Sequence, residues 1–140
     1  MNDLFGKSSG GLSRGFMSND RKEIIIVDDV NFFLHTASSR LKKHYTVYTA
    51  QSSEKLFELL SKITPDLILL DINMPVVNGF EVLIKLKNDV RYSYIPVIII
   101  TANDDKDSLV KALSLGAADY VTKPFDATKL IRIINDLTDY

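Results

Sequence analysis

The sequence predicts an α/β domain, a five-stranded parallel sheet with helices on both faces, and three observations carry that prediction. Three runs of four residues, Ile24–Val27, Leu67–Leu70 and Val97–Ile100, contain only Ile, Leu and Val. Unbroken apolar runs of this kind suit strands covered on both faces. Between them, apolar residues recur at helical spacing, and strand and helix alternate as (βα)5, the pattern of a doubly wound sheet.

The elements follow in order from Glu23. Ile24–Val27 is the first strand, and Val30, Leu34, Ala37 and Leu41 then mark a helix. Tyr45–Thr49 (YTVYT) is more mixed, as expected of a strand nearer a sheet edge. Leu56, Leu59, Leu60 and Ile63 give the second helix, which Pro65 stops before the strand Leu67–Leu70. Val82, Leu83 and Leu86 mark the third helix, and Leu109, Ala112 and Leu113 the fourth, after the strand Val97–Ile100. Gly116 stands where a left-handed C-terminal cap belongs. Asp119–Thr122 (DYVT) is the fifth strand, and Asp126 caps a last helix carrying Leu130, Ile133, Ile134 and Leu137.

A chain of 140 residues suits one domain, and 46% hydrophobic with 25% charged residues matches an ordinary globular protein. A net charge of −1 with no basic run argues against a polyanion-binding surface. The absence of cysteine excludes disulfides and thiolate metal sites. No apolar run reaches membrane-spanning length and the start lacks the apolar core of a signal peptide, so a cytoplasmic location is expected. Four of the six glycines fall before Phe16, so residues 1–20 are read as a flexible Gly/Ser-rich arm or an expression remnant, with the folded domain spanning 21–140.

In doubly wound sheets, ligands bind outside the carboxyl ends of the strands. Here those ends carry Asp28-Asp29, Asp71, Thr101 and, just beyond the fifth strand, Lys123. Three carboxylates on one rim repel one another unless a divalent cation joins them. All-oxygen ligation without His or Cys selects a hard ion such as Mg2+. Lys123 suits an anion arriving with the metal: a phosphoryl group on Asp71 would give oxygens to Mg2+, to Lys123 and to the Thr101 hydroxyl. Ala102 is small and leaves room beside Asp71. An aspartyl-phosphate is an established form of carboxylate nucleophile chemistry, and phosphoryl transfer depends mainly on positioning and charge neutralisation.

Four motifs, IIIVDDV, LILLDINMPVVNGFEVL, PVIIITA and GAADYVTKPF, together resemble the receiver domain of two-component response regulators, in order and spacing over nearly all of Glu23–Asp139. The resemblance implies a flavodoxin-like sheet of strand order 2-1-3-4-5. It implies that Asp71 is the phosphoacceptor, served by a histidine kinase or a histidine phosphotransfer protein. It implies Mg2+ held by Asp29, Asp71 and the backbone carbonyl of Asn73, with Asp28 acting largely through water. Thr101, Ala102 and Lys123 would bind the phosphoryl group, and the Lys123–Pro124 peptide would be cis. Thr101 and Tyr120 would form the switch that alters the face made by helix four, strand five and helix five. The side chains at Asn73 and Asn103 would bear on how long the phosphoryl group persists.

Taken singly, each piece has a plainer reading: a turn at Asp28-Asp29, a helix-cap acid at Asp71, a structural Thr101, a loop at Lys123-Pro124. Their coincidence at four corners of one fold is what gives them weight. His35 and His44 are read as surface or hydrogen-bonded residues, Phe32 and Phe33 as packing with one partly exposed, and Tyr92 and Tyr94 as part of a connector. A phosphatase with an Asp nucleophile would place its two acids two apart at the first strand, and a dinucleotide site would need G-x-G-x-x-G there; neither is present. An unphosphorylated interaction module would not need all five site residues. The last helix runs to the end of the chain, so the output is expected to be a downstream protein partner or an absent effector domain, with a phosphorylation-dependent homodimer as one option. Neither direct nucleic-acid binding nor membrane contact is expected of this chain.

Overall fold

The computed structural model describes residues 21–76 and 78–139. The expected arm at residues 1–20 therefore lies outside the described residues. Strands and helices alternate as β1 (Glu23–Val27), α1 (Asn31–Leu41), β2 (Thr46–Ala50), α2 (Ser53–Leu60), β3 (Leu67–Leu70), α3 (Gly79–Lys87), β4 (Val97–Thr101), α4 (Lys106–Ser114), β5 (Asp119–Thr122) and α5 (Ala127–Thr138). All pairings are parallel and the order across the sheet is β2-β1-β3-β4-β5, as expected.

The apolar runs do what their composition requires: every residue of Ile24–Val27, Leu67–Leu70 and Val97–Ile100 is fully buried. Because side chains alternate along a strand, the sheet divides the core in two. Ile25, Val27, Ile68, Leu70, Val97 and Ile99 pack with Leu56 of α2, Leu83 of α3 and Ala112 of α4. Ile24, Ile26, Leu67, Leu69, Ile98 and Ile100 pack with Leu34 of α1 and with Leu130 and Ile134 of α5. The outer strands β2 and β5 are only partly buried, which is why their sequences are mixed.

Side-chain caps set where most helices start. Ser52, Asn78, Asp105 and Asp126 each accept a backbone N–H from the first turn of α2, α3, α4 and α5. No side chain caps α1; its N-cap position is Val30. Gly116 follows α4 with φ +107°, where a Cβ is strained. Gly116→Ala is expected to lose roughly 1–2 kcal/mol of stability, measurable by urea unfolding.

Some details differ from the sequence expectation. β2 starts at Thr46, because Tyr45 closes the turn after α1, its N–H donating to the Leu41 carbonyl. The Tyr45 side chain is buried, with its hydroxyl 2.7 Å from Asn135 Oδ1 on α5. α2 ends at Leu60, and Ile63 packs from the following turn. α4 buries only Ala112 fully and leaves Leu113 45% exposed, so it is the loosest helix of its layer. Phe32 stands 78% exposed while Phe33 packs into the α1–α5 side of the core. His35, His44 and Tyr94 are exposed, and Tyr92 packs on the core beside Phe57. Among the described residues, no helix is long and apolar enough to cross a membrane.

Candidate functional site

The carboxyl ends of β1, β3, β4 and β5 meet at one rim, and each contributes the residue its strand delivers. Asp28 and Asp29 leave β1, Asp71 leaves β3, Thr101 ends β4, and Lys123 follows β5. Carboxylate oxygens of Asp28, Asp29 and Asp71 lie within 4.8 Å of one another, Asp28 and Asp71 buried and Asp29 half-buried. Three oxygen donors gathered this closely, with no softer ligand among them, fit a hard divalent cation such as Mg2+.

Lys123 reaches into this cluster. Its ammonium lies 2.5 Å from Asp28 Oδ2 and 3.5 Å from Asp71 Oδ2. The Val30 N–H donates to Asp28 Oδ1 at 2.8 Å, so the same carboxylate also shapes the entry to α1. Burial raises the Asp28 pKa above its ordinary value; the Lys123 hydrogen bond and the Val30 N–H oppose that, and the Asp71 charge adds to it. A buried carboxylate held between these effects is where a cation gains most.

The loops after β3 and β4 complete the site. The Asn73 N–H donates to Asp71 Oδ1 at 3.1 Å, and its side-chain amide donates to Thr101 Oγ1 at 3.3 Å. The Asn103 N–H also donates to Thr101 Oγ1 at 3.3 Å, while the Asn103 amide donates to Ser108 on α4. Tyr120 is half-buried on β5, and its hydroxyl donates to the Asn103 carbonyl at 2.6 Å. Burial raises the Tyr120 pKa first, and the negative charges of Asp105, Asp104 and Asp71 raise it further. Ala102 is exposed beside Lys123, and the Lys123–Pro124 peptide is cis.

The residues read from the sequence as site candidates therefore lie at or beside this rim. Two residues not read as site residues from the sequence also border it: Gly79, and Phe33, which the sequence reads as packing and which does pack against the core. Gly79 opens α3 directly against the Asp71 backbone, where a Cβ would overlap the Asp71 carbonyl oxygen and come 2.5 Å from Ile72 Cα. Phe33 presents its ring 3.9 Å from the Lys123 ammonium. The Asn78-Gly79 pair could have drawn attention to the first; a double Phe gives no signal for the second.

Comparison with known proteins agrees with this geometry. The family model described as the response regulator receiver domain matches residues 24–135. Response regulator PleD of Caulobacter vibrioides is 36% identical over 118 residues, covering 84% of this chain and 26% of PleD. Protein PilH of Pseudomonas aeruginosa is 38% identical over 113 residues, covering 80% of this chain and 93% of PilH. The chain thus spans about a quarter of one relative and nearly all of another. The signal receiver domain of a signal transduction histidine kinase from Syntrophus aciditrophicus has a TM-score of 0.76 at 29% identity, covering 84% of this chain and 90% of that one. The BeF3-activated DrrB receiver domain has a TM-score of 0.75 at 28% identity, covering 86% and 99%. The strand order, the acidic rim and these matches lead to one assignment: the chain belongs to the response regulator receiver domain family of two-component signalling.

Proposed function

We propose that the chain is a phosphorylatable switch whose Asp71 takes a phosphoryl group from a phosphohistidine on a histidine kinase or histidine phosphotransfer protein. A carboxylate oxygen of Asp71 forms the new P–O bond, the P–N bond breaks, and the imidazole leaves with the bonding pair and takes up a proton. The observation that carries this reading is Lys123, whose ammonium sits 2.5 Å from Asp28 and 3.5 Å from Asp71 among three clustered carboxylates. A seat for a cation alone gains nothing from a second positive charge beside it. A seat where an anion joins the cation does.

On this reading Asp28, Asp29, Asp71 and the Asn73 carbonyl hold Mg2+, with Asp28 acting largely through water. Bound Mg2+ neutralises charge on the transferring group. Lys123, the Thr101 hydroxyl and the backbone at Ala102 receive the phosphoryl oxygens, and Asn73 and Asn103 flank the path of the water that later removes the group. Thr101 moving toward the phosphoryl group shifts the loop whose Asn103 carbonyl holds Tyr120, and so alters the α4–β5–α5 face. That face then meets a downstream protein partner, an effector domain or a second copy of the chain. The chain acts in the cytoplasm, binds no nucleic acid itself, and catalyses only its own phosphorylation and dephosphorylation.

The test is incubation with acetyl phosphate with and without Mg2+, followed by intact-mass measurement and peptide mapping. One Mg2+-dependent phosphoryl adduct on the peptide holding Asp71 is expected. No adduct, or one elsewhere, overturns the reading. Lys123→Ala is expected to bind Mg2+ at least as tightly as wild type, because the ammonium no longer competes for Asp28, and to form the adduct roughly a hundredfold more slowly. Calorimetric Mg2+ titration and adduct time courses check the two halves, and weaker Mg2+ binding would contradict the electrostatic argument.

A further inference from the structure

Phe33 lies on α1, and the Lys123 ammonium stands 3.9 Å from the centroid of its ring. The ring is itself braced by a second aromatic. Phe125, itself buried, meets it edge-to-face with centroids 6.0 Å apart and planes at 74°, and the Arg40 guanidinium lies 5.6 Å from the Phe125 centroid. Lys123 thus has three partners of two kinds: the carboxylates of Asp28 and Asp71, and an aromatic face.

The two kinds respond differently to a ligand. A cation at the rim competes with Lys123 for the two carboxylates, and a phosphoryl group competes with those carboxylates for the ammonium. The ring takes no proton and ligates no hard cation, so its pull on the ammonium is the same whatever the carboxylates hold. That pull also operates under good conditions. Lys85 over Phe57 at 4.7 Å and Lys111 over Phe80 at 4.4 Å belong to exposed lysines, whereas the Lys123 side chain is only 17% exposed. Cation–π attraction strengthens as water is withdrawn.

We propose that Phe33 is a positioning residue for phosphoryl transfer, its braced ring holding the Lys123 ammonium at the rim where oxygens on Asp71 would meet it. This deepens the reading of Lys123 as a phosphoryl-binding group and rests on it. The ring adds no chemistry of its own; it spares Lys123 the loss of freedom that reaching the phosphoryl group would otherwise cost.

Two variants separate the ring face from mere bulk: Phe33→Leu keeps an apolar side chain, and Phe33→Tyr keeps the aromatic face. The first readout needs no phosphodonor. Nuclear magnetic resonance of the Lys123 ε-methylene protons is expected to show an upfield ring-current shift in wild type and Phe33→Tyr that disappears in Phe33→Leu. The second is the initial rate of adduct formation from acetyl phosphate at saturating Mg2+. Phe33→Leu is expected to slow it roughly three- to thirtyfold, and Phe33→Tyr to stay near wild type. In a Lys123→Ala background, Phe33→Leu is expected to change the rate no further, as coupled positions do in a double-mutant cycle.

A wild-type rate in Phe33→Leu overturns the proposal, as does equal slowing in the Lys123→Ala background. If Phe33→Leu fails to fold, Phe33→Met takes its place in both measurements. If wild type takes no phosphoryl group, the phosphoacceptor reading falls. The ring-current comparison then decides the seating of Lys123 alone: loss of the shift in Phe33→Leu supports it and persistence overturns it.

Discussion

Asp71→Asn is expected to take no phosphoryl group from acetyl phosphate under any Mg2+ concentration while keeping the wild-type fold. The amide is close to the carboxylate in shape, so Oδ1 can still accept the Asn73 N–H that holds the loop after β3. What it lacks is an anionic oxygen able to attack phosphorus. It also removes one of three carboxylate charges crowded within 4.8 Å. Repulsion at the rim therefore falls, and the variant is expected to be at least as stable as wild type without Mg2+ and to bind Mg2+ more weakly. Intact mass, urea unfolding and calorimetric titration read these three consequences. A phosphoryl adduct at the same peptide in the variant would mean that another residue is the acceptor.

Gly79→Ala is expected to be the most damaging single methyl addition in the domain. The added carbon would overlap the Asp71 carbonyl oxygen and stand 2.5 Å from Ile72 Cα, and all of these obstacles are backbone. No side-chain rotation relieves such a clash, so either the start of α3 or the loop bearing Asp71 must move. The Gly79 N–H donates to the Ile72 carbonyl at 3.0 Å, a bond that either movement weakens. A loss of about 3 kcal/mol is expected in urea unfolding, together with slower phosphorylation in the molecules that remain folded. Unchanged stability would show that the two segments are not held this close.

What the sequence discloses about this domain depends on how local each cause is. The strands β1, β3 and β4 are legible because burial on both faces leaves only Ile, Leu and Val, with Glu23 at the start of β1 and Thr101 at the end of β4 as the exceptions. β2 starts one residue late because Tyr45, a good strand former, closes the turn after α1 through its N–H to the Leu41 carbonyl, while its hydroxyl is held by Asn135 on α5, 90 positions away. The carboxylates are legible because a parallel sheet delivers all its strand ends to one rim. The pairing of Lys123 with Asp28 is not, since it spans 95 positions and nothing local to either residue announces it. Gly79 and Phe33 were missed for the same reason: one matters through the backbone it touches, the other through the cation it faces.

The division of the core by the sheet has a consequence for how the domain can carry a message. With an unbroken wall of buried strands between them, the α1–α5 layer and the α2–α3–α4 layer are insulated from each other through most of the molecule. They meet at the rim. There Lys123, on the loop leading to α5, grips Asp71, on the loop leading to α3, and Asp28, on the loop leading to α1. A change of charge at Asp71 is therefore made at the junction of the two halves, and can pull on either of them without having to pass through the wall.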